Sequence, residues 1–99
     1  MKQRYVIVRT YSMGASAGIL EPESTETVKI LSQARKLWYW DGAATLGELA
    51  TLGTSAPQNC KFPPPVARVE LTSPQGFEIF DVTDKARESI ESVKPWTRH

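Results

Sequence analysis

The sequence has few of the residues on which catalytic centres, disulfides and metal sites are built. It contains one cysteine, Cys60, and one histidine, His99, among 99 residues. A single cysteine excludes an internal disulfide, and without a second cysteine or an internal histidine it offers neither a metal site nor a Cys-His nucleophile pair. Because His99 is the final residue of the sequence, we do not expect it to act as a general base.

An excess of charge of one sign is also lacking. Twelve basic and eleven acidic residues give a formal net charge of +1, so no global field attracts a nucleic acid or a membrane surface. The apolar run in the first strand ends at Arg9, which makes it too short for a signal-peptide core or a membrane span. We therefore expect a cytoplasmic protein with no cofactor, no metal, and no membrane or nucleic-acid partner.

The remaining composition is that of an ordinary globular domain, and we predict one domain over residues 1–99. Residues 4–10 alternate in the manner of a strand. Residues 11–18, "YSMGASAG", are small and contain two glycines, which predicts a turn or loop before a returning strand in "GILE". "TVKILSQ" predicts a further strand, and residues 34–40 continue in extended form.

The second half predicts two helices and two more strands. Thr45 and Glu48 form a capping box at the start of a helix that Gly53 ends. A proline-rich loop follows, and residues 66–72 and 77–82 are predicted to form a hairpin around the turn 73–76. Thr83 caps a last amphipathic helix. The predicted fold is α+β, with a twisted antiparallel sheet of about five strands and two short helices.

The segment "RKLWYWDG", residues 35–42, concentrates aromatic surface. On an extended chain Trp38 and Trp40 share one face, opposite Tyr39. Two interpretations stay open: the indoles fill the core, or at least one ring stays accessible and stacks on a base, a sugar or a partner side chain.

The junction from Asp41 to Thr45 is a second candidate site, because a glycine before a helix start presents free amides to an anion. Arg9, Arg35 and Lys36 would add positive charge if their strands are adjacent. The stretch is not a P-loop, since it lacks that glycine and lysine pattern. The predicted ligand-binding set, with no catalytic and no metal-binding member, is Arg9, Tyr11, Arg35, Trp38, Tyr39, Trp40, Asp41, Gly42 and Thr45.

The stretches "YVIVRTYSMGASAG", "ARKLWYWDGAATLGELA" and "PQNCKF" together resemble a family of short, uncharacterised proteins of tailed bacteriophages and prophages, and "WYWDGAA" carries most of that resemblance. The resemblance implies no catalytic residue. It implies a small protein that acts by binding, either by blocking a host protein or by sequestering a small signalling molecule in the host cytoplasm.

We therefore expect a non-enzymatic, phage-type binding protein that modulates a host or defence process. Its partner is expected to be a host protein or a small nucleotide-like ligand. An alternative is a virion or assembly component that self-associates through a sheet edge or the aromatic face, as a homo-oligomer. A hydrolase is a third hypothesis, which requires Asp41, Glu48 or Asp81 to converge around a metal.

Overall fold

A computed structural model describes residues 3–97 as a five-stranded antiparallel sheet with two helices, which confirms the predicted α+β class. His99 lies outside the described residues. The strands are β1 (Tyr5–Thr10), β2 (Gly14–Leu20), β3 (Val28–Lys36), β4 (Val66–Thr72) and β5 (Phe77–Asp81), and the helices are α1 (Leu46–Leu52) and α2 (Asp84–Ser92). A short 3-10 turn covers Pro57–Asn59. Within residues 3–97, no helix has the length and apolar character needed to cross a membrane.

The hairpin of β1 and β2 is tighter than the sequence predicts. The predicted loop over residues 11–18 is only a turn over residues 11–13, and Gly14 already pairs with Thr10. Strand β2 is poor in good strand formers, but it lies between β1 and β3 in the sheet order β4-β3-β2-β1-β5. Pairing on both edges therefore fixes the backbone despite a weak local preference.

Gly18 explains why this central strand must carry small residues. A Cβ atom placed on Gly18 would lie 2.9 Å from the carbonyl oxygen of Ser32 and 3.1 Å from the Cα of Ala34. The register between β2 and β3 shifts at this point, where Gln33 adopts a left-handed φ of 48°. This is a β-bulge. Its extra residue moves the side chains of the following part of β3 to the opposite face of the sheet, so that Arg35 faces the helices.

The predicted hairpin of the last two strands is wrong. Strand β4 pairs with β3 and β5 pairs with β1, which puts the two strands at opposite edges of the sheet. The predicted turn does form, with the Gly76 amide donating to the Ser73 carbonyl at 3.1 Å. Five residue steps span at most about 18 Å, so this connection requires the sheet to coil until its opposite corners approach each other.

Each face of the coiled sheet is covered. One face packs on both helices and on Phe62, with Ile7, Leu49 and Ile90 among its fully buried members. The other face encloses a smaller core in which Leu71 and Val69 of β4 join apolar residues from β1 and β5. The edges share this second core because the sheet coils, which is why β4 and β5 need no direct pairing.

Both helices start where the sequence predicts, and α1 also ends at the predicted glycine. Thr45 Oγ1 accepts a hydrogen bond from the Glu48 amide at 3.1 Å, and Gly53 ends α1 with a φ of 80°. Thr83 caps α2 in the same way, through the Ala86 amide at 3.1 Å. The apolar side of α2, with Ala86 and Ile90, is buried, and α2 packs on α1 and on the 3-10 turn, so both helices are held by packing as well as by their caps.

Candidate functional site

The β1–β2 turn and the segment after β3 meet at one end of the sheet and enclose an open depression of about 450 Å³. Its floor consists of Ala15 from β2, Leu37 just after β3, and Leu46 at the start of α1. All three are at least nine-tenths buried and belong to the larger core. The floor is therefore a fixed part of the fold.

The rim of the depression is aromatic and carries one cation. It consists of Arg9, Tyr11, Trp38 and Trp40. Trp38 is 67% exposed and Tyr11 is 84% exposed, whereas Trp40 is half-buried and packs against the larger core. The ring of Trp38 is therefore accessible, as the second interpretation requires. Trp40 packs on the edge of the core and also lines the rim. We call these four residues the aromatic rim.

The backbone around Trp38 is fixed by hydrogen bonds. The Leu37 amide donates to the Ala15 carbonyl at 3.0 Å, and Tyr39 exchanges two backbone hydrogen bonds with Lys61, at 2.7 and 3.3 Å. Because the segment is extended, Tyr39 projects away from the depression, and it is 51% exposed. The structure therefore presents Trp38 on a fixed backbone and separates Tyr39 from the aromatic rim.

The turn that carries Tyr11 is also anchored. The Met13 amide donates to Thr10 Oγ1 at 2.7 Å, and Lys36 Nζ donates to the Met13 carbonyl at 2.5 Å. Burial lowers the pKa of the Lys36 ammonium group from its ordinary value. Lys36 therefore positions the turn instead of adding a free charge to the depression.

Arg9 supplies the positive charge of the aromatic rim. Its guanidinium group lies 3.7 Å from the Glu78 carboxylate on the neighbouring strand, and both side chains are more than half exposed. An exposed pair at this distance contributes little, about 0–1 kcal/mol. Arg9 can thus exchange Glu78 for an anionic ligand group at small cost.

The predicted anion site at residues 41–45 is already occupied by the protein's own side chains. The Gly42 amide donates to Asp41 Oδ1 at 2.9 Å, and the Ala44 amide donates to Glu48 Oε1 at 3.3 Å. Thr45 serves as the helix cap. Two carboxylates at this junction disfavour a phosphate, so Asp41, Gly42 and Thr45 act as structural residues in this arrangement.

Gly42 also has a steric role. Its φ is 83°, and a Cβ atom there would lie 2.5 Å from both the Ala56 nitrogen and Thr54 Oγ1. Its carbonyl accepts a hydrogen bond from the Ser55 amide at 3.3 Å. The glycine allows the loop after α1 to lie against the end of the aromatic segment.

Arg35 does not reach the depression. It is 4% exposed, and its guanidinium group donates to the carbonyls of Ile90, Phe62 and Val93 at 2.8, 3.0 and 2.7 Å. A fourth bond from Nε reaches the Pro63 carbonyl at 3.0 Å. Burial lowers the pKa of its guanidinium group. Arg35 fastens β3 to the end of α2 and to the segment that contains Phe62, and it lies outside the candidate site.

The three carboxylates of the hydrolase hypothesis have separate partners. Asp81 pairs with Arg4 at 2.8 Å, Asp41 accepts from the Asn59 side chain at 3.0 Å, and Glu48 belongs to the cap of α1. Across residues 3–97, no group of three or more His, Cys, Asp and Glu side chains is placed to hold a metal ion. The three carboxylates are therefore each engaged by a different partner.

Three residues of the floor were missed by sequence reasoning. Ala15, Leu37 and Leu46 read as ordinary core positions, and they are core positions on one side. Their role at the depression follows from the meeting of a turn, a strand end and a helix start. No local pattern signals that meeting, so only the tertiary structure identifies them.

A family model matches residues 3–90 of the chain, and its description is "Domain of unknown function (DUF6948)". Because the match covers most of the sequence, the chain belongs to this family. No curated protein and no solved structure shows significant similarity to it.

Proposed function

We propose that this member of the DUF6948 family is a non-enzymatic, phage-type binding protein that modulates a host or defence process. It would do so by sequestering a small nucleotide-like molecule at the depression bounded by Arg9, Tyr11, Trp38 and Trp40. The resemblance to phage and prophage proteins supports the host setting, and the chemistry of the aromatic rim supports the ligand class.

A single observation carries the ligand class: an exposed indole and an exposed phenol stand beside a weakly paired guanidinium group over a rigid apolar floor. Leaving most of Trp38 in water forgoes about 3 kcal/mol of apolar burial, taking about 200 Å² for the side chain. A planar ring stacked on the indole would recover part of that free energy, since base–aromatic stacking contributes about 1–3 kcal/mol.

The arrangement also limits where a phosphate would lie. The amides of Gly42 and Ala44 are engaged by Asp41 and Glu48, so a phosphate cannot lie at the start of α1 without displacing a carboxylate. Arg9 is the cation on the aromatic rim, and its charged donors suit a phosphate oxygen. We therefore expect the base over Trp38 and Trp40 and the phosphate beside Arg9, facing solvent.

The test is binding of a panel of cyclic and linear nucleotides, followed by tryptophan fluorescence and by native mass spectrometry. Wild type should bind at least one member, Trp38→Ala should lose binding at least tenfold, and Arg9→Ala should lose affinity in a salt-sensitive manner. Tyr39→Ala is the matched control, because Tyr39 is exposed to a similar degree but projects away from the depression. Equal binding by Trp38→Ala and wild type would refute the site.

A host protein is the second candidate partner, and the exposure of Tyr39 and Met13 favours it. Both lie outside the lining of the depression, and they extend the exposed apolar surface beyond what a small ligand would cover. Tyrosine and tryptophan are common energetic anchors of interfaces. Binding that Tyr39→Ala and Trp38→Ala both weaken, in the absence of any nucleotide effect, would identify a protein partner.

A further inference from the structure

The outer edge of β4 has no strand partner among residues 3–97, because β4 is the terminal strand of the sheet. Five of its seven residues are exposed, including Val66 at 52%. Soluble proteins usually protect such an edge with charge, because unpaired amides and carbonyls can pair with another chain. The charged residues of β4 are Arg68 and Glu70. Their positions along the strand decide whether they prevent pairing with another chain or favour one register of it.

The register of β4 fixes which backbone groups point outward. The Ile30 carbonyl accepts a hydrogen bond from the β2–β3 connection at 2.9 Å, so the polar backbone groups of Ile30 face away from β4. Backbone groups alternate along a strand, and those of Leu31 therefore face β4, where Leu31 pairs with Val69. The amides and carbonyls of Arg68 and Glu70, on either side of Val69, consequently point outward from the sheet.

We infer that β4 pairs with the β4 strand of a second copy, antiparallel and about a two-fold axis through Val69. In that register Arg68 lies opposite Glu70 of the second copy, and Glu70 lies opposite its Arg68. Both pairs are hydrogen-bonded positions, as the outward backbone groups require, and both bring opposite charges together.

The neighbouring registers are electrostatically unfavourable. Outward-facing residues can pair only with outward-facing residues, so the two nearest alternative registers place the axis at Arg68 or at Glu70. Either shift brings two like charges directly opposite each other, which destabilises a strand pair. In the single chain Arg68 and Glu70 form an ion pair with each other, and both are about half exposed. That exposed pair contributes little, so it is easily exchanged for the two pairs across the axis.

The exposed side chains continue into the same interface. Val66 would lie opposite Thr72 of the second copy, and the inward-facing Val69 and Leu71 would extend the smaller core across the axis. One strand pair gives a small interface, and small interfaces dissociate on dilution. The inference therefore predicts a reversible dimer that forms a continuous ten-stranded sheet, without any contribution from the aromatic rim.

The experiment is sedimentation equilibrium from about 1 µM to about 1 mM, a range that brackets weak to moderate association. The wild type should form a dimer, whereas Arg68→Glu and Glu70→Arg should each weaken it at least tenfold. Lys85→Glu is the control, because it reverses an exposed charge on α2 and should leave the dimer unchanged.

Two rescues identify the register. The double variant Arg68→Glu with Glu70→Arg restores opposite charges and should restore the dimer. An equimolar mixture of the two single variants should form a heterodimer, because every facing pair is then again opposite in sign. A monomeric wild type across the whole range, or a dimer that the single variants leave intact, would overturn the inference. A dimer that both single variants weaken but neither rescue restores would also overturn it. None of these results depends on nucleotide binding.

Discussion

Arg35 gives the sharpest test of whether a predicted ligand residue is in fact structural. We consider Arg35→Met, which removes the guanidinium group and keeps most of the apolar stem. The variant loses four hydrogen bonds that join β3 to Ile90 and Val93 at the end of α2 and to the Phe62–Pro63 segment. Because that segment also supplies the fully buried Phe62, the loss affects the centre of the larger core.

The magnitude follows from opposing terms. Hydrogen bonds from a charged donor contribute about 1.5–3 kcal/mol each, so four give a gross loss of about 6–12 kcal/mol. The variant no longer buries a cation, which recovers several kcal/mol. We expect a net loss of about 3–5 kcal/mol, a large part of the 5–15 kcal/mol typical of a domain. Arg9→Met, at an exposed arginine, should change stability by about 0.5 kcal/mol or less.

The assay is urea denaturation followed by circular dichroism, with unchanged denaturant slopes as the check on comparability. If Arg35→Met unfolds at the same urea concentration as wild type, the structural assignment of Arg35 is wrong. A variant that is as stable as wild type but has lost nucleotide binding would return Arg35 to the ligand site.

Three other predictions concern stability. Gly42→Ala should lower the free energy of unfolding by at least about 2 kcal/mol in urea denaturation, because a left-handed φ adds to a 2.5 Å clash. Gly76→Ala, with a φ of 96° and open space around the new Cβ, should lower it by about 1 kcal/mol. Equal losses in the two variants would contradict a steric role for Gly42. Thr83→Ala should cost about 1–2 kcal/mol in the same assay through loss of the α2 cap, and no measurable loss would contradict that role. Burial, with the charge of Glu91, raises the pKa of Tyr5 to about 12. The folded state therefore retains that proton more tightly, and stability should fall by about 2–3 kcal/mol as pH rises from about 10 to about 12. Tyr5→Phe, measured by urea denaturation at each pH, should remove that part of the fall, and an unchanged fall would contradict the shift.

Local signals predicted the parts of the fold that depend on neighbouring residues in the sequence. The caps at Thr45 and Thr83, the helix end at Gly53 and the first strand are all set within a few residues, and the structure confirms them. The turn at Ser73–Gly76 was likewise predicted and forms, but the hairpin predicted around it does not. Coiling of the whole sheet sends the strands on either side of that turn to different partners.

Less of the candidate site than of the fold could be predicted from sequence, because the geometry of the site depends on tertiary structure. The bulge at Gln33 turns Arg35 towards the helices, and a non-glycine residue with positive φ gives no warning in the sequence. Alternation correctly placed Trp38 and Trp40 on one side, but it could not show that Phe62 fills the core and leaves Trp38 exposed. Four residues of the predicted ligand-binding set therefore meet at the depression, whereas the exposure of Trp38 and the carboxylates that engage the amides of Gly42 and Ala44 could not be predicted from sequence.

The central claim is that Trp38 belongs to a binding surface. Native mass spectrometry of wild type and Trp38→Ala, each incubated with the nucleotide panel and with a lysate depleted of macromolecules, tests it most directly. We predict a discrete mass increment on the wild type that is absent from a Trp38→Ala variant with wild-type circular dichroism. No increment on the wild type, or the same increment on the folded variant, would contradict the claim.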